Sequence, residues 1–76
     1  MERLPFELWD TESANLLDVY RTEEEALADV ADAVKSHGLE GAKHLLLGYE
    51  DENGRSRVIA KGLALAERAL ATIPLA

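Results

Sequence analysis

The stretch Tyr49–Gly62, YEDENGRSRVIAKG, reads as a strand, a tight turn and a second strand. At its centre stands Asn53-Gly54, the strongest short hairpin signal, because both residues tolerate the positive φ of a two-residue turn. Forty residues earlier, Trp9–Thr22, WDTESANLLDVYRT, has the same layout. Under that shift Trp9 falls on Tyr49, Asp10 on Glu50, Glu12 on Glu52 and Ser13-Ala14 on Asn53-Gly54. Farther on, Val19 meets Ile59, Arg21 meets Lys61 and Ala26 meets Ala66. The pattern predicts two hairpin-helix units, residues 4–38 and 42–74, in one domain spanning 1–76.

Working outward, LPFELW (residues 4–9) alternates and is the first strand, with Pro5 holding its start or its edge because proline lacks a ladder donor. LLDVYR (16–21) is the second strand, HLLLGYE (44–50) the third and RSRVIAK (55–61) the fourth. TEEEALADVADAVKSHG (22–38) is a helix. Thr22 caps it with Glu25 three residues on, and three glutamates in the first turn suit the positive end of the helix dipole. Leu27, Val30, Ala31 and Val34 form its apolar stripe, and Gly38 follows as the C′ residue. GLALAERALATI (62–73) is a second helix, ended by Pro74. The fold class is therefore α+β: ββα-ββα, a four-stranded antiparallel sheet with two helices packed on one face.

Strict alternation assigns Leu4, Phe6, Leu8, Leu17, Val19, Leu45, Leu47, Val58 and Ala60 to the face under the helices. The opposite face then collects Glu7, Trp9, Leu16, Asp18, Tyr20, His44, Leu46, Arg57, Ile59 and Lys61. A solvated face rarely gathers a Trp, a Tyr, two Leu and an Ile, and aromatics with Arg are the types enriched at interfaces. Trp9, Leu16, Tyr20, Leu46, Arg57 and Ile59 are the candidate interface residues. A bulge in either hairpin reverses these assignments.

A chain of 76 residues buries a modest core, and small scaffolds compensate with disulfides, metals or oligomerisation. With no cysteine in the sequence, disulfides and thiolate metal sites are excluded. Oligomerisation, as a homodimer, is the remaining route. The N-terminal MERLPFELWD has no signal-peptide core and no apolar run reaches membrane-spanning length, so the expectation is a cytoplasmic protein.

The net charge of −7 is uneven: residues 1–34 hold ten acids and two bases, residues 35–76 five acids and six bases. Such a balance disfavours a phosphate backbone as partner. Two other readings stay open: an acidic nucleic-acid mimic that blocks a basic protein, and a nucleic-acid binder using Arg55, Arg57 and Lys61 on one strand.

Chemistry finds little support. His37 and His44 lack any metal-ligand spacing, and Glu23, Glu24 and Glu25 point in successive directions around a helix. YEDENG lacks the distal glutamate of a calcium loop. There is no GxSxG and no Ser/His/Asp array. The expectation is no catalytic residue, no metal and no cofactor.

The run TEEEALADVADAV after a hairpin resembles the helix start of HicB-type antitoxin domains over residues 6–36. This chain has DVYRT where that family has a Pro-Asp segment, and no DNA-binding tail follows. From FELWDTES through EDENGRSRVIAKGLALAERA the chain is also similar to small uncharacterised bacterial proteins of ββα-ββα pattern. The first resemblance implies a regulatory, antitoxin-like interaction module; the second implies a fold alone.

Overall fold

The structure is a computed structural model that describes residues 4–72. Its elements run β1 (Phe6–Asp10), β2 (Asn15–Tyr20), α1 (Glu23–His37), a 3-10 turn (Leu39–Ala42), β3 (Leu45–Glu50), β4 (Ser56–Lys61) and α2 (Gly62–Thr72). All four strands form one antiparallel sheet in the order β2-β1-β3-β4. The α+β architecture and the ββα-ββα order read from the sequence are those of the folded chain. The expected stop at Pro74 lies outside the described residues, as does the end of the second unit. No helix among the described residues is long and apolar enough to cross a membrane.

α1 forms for the reasons its sequence gives. The Thr22 hydroxyl accepts from the Glu25 backbone N–H at 3.2 Å, meeting one of the donors that a helix start leaves unpaired. Leu27, Val30, Ala31 and Val34 are buried, joined by Ala26. Gly38, at φ 70, ends the helix in a conformation that favours glycine. α2 buries Leu65, Ala66 and Ala69 at helical spacing. Arg68 of α2 donates to Glu23 at the start of α1, 2.7 Å away, which ties the two helices together. Both cover the same side of the sheet, where Leu8 and Leu47 are buried and Phe6, Leu45, Ile59 and Ala60 pack around them.

The central pairing relates the two hairpins. Leu8 stands opposite Leu47, and Trp9 opposite Leu46. Each outer strand carries one extra residue just past the central leucine's partner. In β2, Leu8 pairs with Asp18 and Trp9 with Leu16, so Leu17 bulges. In β4, Leu47 pairs with Ala60 and Gly48 with Val58, so Ile59 bulges. β1 maps onto β3 at an offset of 39 (Leu8 to Leu47), and the bulges at an offset of 42 (Leu17 to Ile59). The two hairpins are thus related by an approximate two-fold axis normal to the sheet at the Leu8–Leu47 pair. Their lengths differ on both sides of the turn, by one residue before it and two after it, which is why the offset of forty fits only the turns.

The turns differ from the expected two-residue type. Asp51 N–H donates to the Arg55 carbonyl at 2.9 Å and Gly54 N–H to the Asp51 carbonyl at 3.0 Å, giving a five-residue loop. Gly54 takes φ 78, whereas Asn53 is not left-handed. The reason is Asp51: its carboxylate accepts from the Asn53 and Arg55 backbone N–H groups and closes the loop from within. In the first hairpin Ala14 takes φ 59, forty residues before Gly54 and in the same left-handed role.

Candidate functional site

Both helices lie on one side, so the other side of the sheet has no covering layer among the described residues. The strand register arranges its central side chains in two rows. One row runs Leu16, Trp9, Leu46, Lys61; the next runs Val19, Glu7, Gly48, Val58. Trp9 and Leu46 are half-buried, Leu16 is 45% exposed and Val58 62% exposed.

The bulges decide which residues reach this face. Trp9, Leu16 and Leu46 are on it, as expected. Tyr20 is not. It pairs with Phe6 in a row under the helices and is only 7% exposed, its hydroxyl donating to Asp29 of α1 at 2.7 Å. Burial, and then the Asp29 carboxylate, push the Tyr20 pKa well above that of a free phenol. Ile59 is the bulged residue of β4 and packs against the core. Arg57 pairs with Tyr49, in the row of Phe6, and its Nε donates to Asp51 at 3.0 Å. Asp18 likewise falls in the row of Leu8. In exchange Val19 and Val58, expected under the helices, stand on the open face, and Leu17 projects from its bulge at 52% exposure. Each extra residue moves everything beyond it to the opposite side, because side chains alternate with period two.

Gly48 leaves a gap in the second row. A Cβ there would lie 2.9 Å from the Arg57 carbonyl oxygen, so the close approach of β4 excludes any larger residue. The gap is the floor of a shallow groove of about 420 Å³ between Trp9, Leu46 and Val58, with Asp10 and Thr11 at one end and Tyr49 and Arg57 at the other. Its lining is mostly apolar.

The polar groups at its ends are engaged in local structure. Asp10 accepts from the Ser13 hydroxyl at 2.7 Å and from the Glu12 N–H, in that order the causes of its lowered pKa. Asp51 is lowered first by the Arg55 N–H and next by Arg57. The Thr11 hydroxyl donates to the His44 carbonyl, and His44 Nε2 lies 3.0 Å from a Glu12 carboxylate oxygen. His37 lies on α1, on the other side of the sheet. Glu23 is turned to Arg68. Among the described residues no three His, Asp or Glu side chains converge as a metal site would require.

The basic stripe Arg55, Arg57, Lys61 is not assembled either. The Ile59 bulge puts Lys61, opposite Leu46, on the open face and Arg57, opposite Tyr49, in the other row. Compared with known protein families, characterised proteins and solved structures, the chain matches none.

Proposed function

We propose that this chain is a non-enzymatic protein-interaction module that works through the open face of its sheet. The observation that carries the reading is the two-row pattern: Trp9, Leu16, Leu46, Val19 and Val58 stand on one face with no helix over them among the described residues. A contiguous apolar patch on a small protein marks a contact surface, and an aromatic anchor at its centre is the usual energetic focus. The polar groups Asp10, Thr11 and Arg57 at the ends of the groove are held by hydrogen bonds to neighbouring turns and strands, which favours recognition by apolar contact over chemistry. A regulatory role, by occupying or releasing a partner, suits a module of this kind.

The test is site-specific photo-crosslinking. A photoreactive residue at Leu46 should give covalent protein adducts in cells, and the same residue at Asp32, exposed on α1, should give far fewer. Equal, background-level adducts at both positions overturn the proposal.

A further inference from the structure

Resting on that reading, we infer that the partner of the open face is a second copy of this chain, packed face to face about a two-fold axis. Charge carries the argument. The two central rows contain one carboxylate, Glu7, and one ammonium, Lys61, and neither is ion-paired within the described residues. Glu7 sits half-buried on a central strand between Val19 and Gly48, where a bare charge is costly to cover. It lies two strands and one row from Lys61, about 12 Å between Cα atoms at ordinary strand spacing, and the two form no ion pair within one copy. An isologous contact makes every pairing twice, so one axis gives both Glu7 carboxylates a lysine and leaves neither row charge unpaired.

Shape agrees. With strands about 4.8 Å apart and same-face residues about 6.8 Å apart along a strand, the axis that brings Glu7 over Lys61 has two further consequences. It sets Trp9 above the other copy's Trp9–Leu46 row, and it brings Val58 close to the gap at Gly48. The groove of each copy thus receives a side chain from the other.

The remaining charge is arranged to permit this. The chain is at −7, yet the two rows sum to zero, and five acids lie on α1, on the far side of the sheet. Copies meeting through the open face keep those acids apart. The molecule is a slab of 34 × 31 × 18 Å, and its broad face is wide enough for the roughly 800 Å² per partner of a specific interface.

The experiment is sedimentation of the full chain over a wide concentration series, with a charge swap. The wild type should reach twice the chain mass. Glu7→Lys and Lys61→Glu should each weaken self-association about tenfold, since each creates two like-charge contacts. The double variant should recover to within about threefold of wild type. Far-ultraviolet circular dichroism checks that each variant is folded, and Val58→Glu, at an exposed site, repeats the test independently. A monomer at every concentration overturns the inference. So does a dimer indifferent to these changes, or a double variant no better than the singles. If a monomeric chain still gives adducts to a different protein at Leu46, self-pairing falls and the interaction surface stands. If Leu46 gives no adducts, both fall.

Discussion

Val58 and Ile59 are neighbours on β4 with similar side chains, and the bulge gives them opposite surroundings. Val58 is 62% exposed on the open face, while Ile59 packs against the core from beneath the helices. Changing each to aspartate should therefore have unequal costs. At Ile59 the loss of a largely buried aliphatic side chain costs about 1–2 kcal/mol. Setting a carboxylate against apolar neighbours adds about 1–3 kcal/mol. At Val58 the same chemistry meets water, and the loss of strand propensity is at most about 1 kcal/mol.

A domain of this length has a total stability of about 4–11 kcal/mol. Ile59→Asp should thus consume much of it and lower the urea midpoint by roughly 2–3 M, or leave the chain unfolded. Val58→Asp should move the midpoint by less than about 1 M. The assay is urea denaturation followed by Trp9 fluorescence and circular dichroism, at a dilution where every variant is monomeric. Ile59→Val, expected to cost about 0.5–1.5 kcal/mol, shows that the site reports packing. Equal midpoints for the two aspartate variants would mean that β4 has no bulge at Ile59. The reverse order would restore simple alternation and put Ile59 on the open face.

Three further outcomes follow from the same geometry. Ala14 adopts φ 59, a conformation unfavourable for any residue with a Cβ, so Ala14→Gly should raise stability by about 1 kcal/mol, while Gly54→Ala, at φ 78, should lower it by about 1–2 kcal/mol; thermal midpoints measure both. The Tyr20 pKa is raised by burial and by Asp29, so its contribution is complete below the free phenol's pKa of about 10 and declines as pH rises beyond it; denaturant titrations at pH 9 and pH 11 should show a steeper loss for wild type than for Tyr20→Phe. Asp10 and Asp51 are lowered by hydrogen bonds in their turns, so their contribution is present above the free carboxylate pKa of about 4 and is lost as pH falls through their folded values; Asp51→Asn should flatten that acid limb between pH 5 and pH 2.

Much of the architecture was legible because local rules and tertiary packing agree. Thr22 caps α1, the stripe from Leu27 to Val34 is buried, and the central strands alternate without interruption. The turns were legible as positions and less so as types. Asn53-Gly54 marks a hairpin, but Asp51 captures the loop's N–H groups and draws it to five residues. The open face was half legible. Trp9, Leu16 and Leu46 stand in the open-face rows that alternation predicts; Tyr20, Ile59, Val19 and Val58 change sides, and Arg57 leaves those rows but still lines one end of the groove. One residue too many in β2 and in β4 shifts the parity, and a bulge of this kind requires no special amino acid. The available signal was the pair of adjacent apolar doublets, Leu16-Leu17 and Val58-Ile59, each of which breaks a period-two pattern.

The same two bulges join fold to function. β2 and β4 are the sheet's outer strands, and a long regular edge invites uncontrolled strand pairing. A bulge in each edge disrupts that ladder, so end-to-end addition of further copies is disfavoured. It also redistributes the side chains. Tyr20 and Ile59 go under the helices, where the buried core of the described residues is rich in alanine and has few large members to spare. Val19 and Val58 go to the open face, flanking Trp9 and Leu46 with short aliphatic walls and leaving the gap at Gly48 between them. An edge that resists pairing and a face that invites covering come from the same insertions. Deleting the extra residue tests the edge alone, because the residues on either side of it keep their faces. Deleting Ile59 removes the bulge and leaves a straight edge, while Val58 stays opposite Gly48 on the open face because Val58 and Ala60 then alternate directly. The deletion variant should keep the face-to-face dimer and gain a concentration-dependent tendency to form larger, strand-paired species, read by sedimentation. A deletion variant that stays a discrete dimer, with no larger species at any concentration, would show that the bulge does not protect the edge.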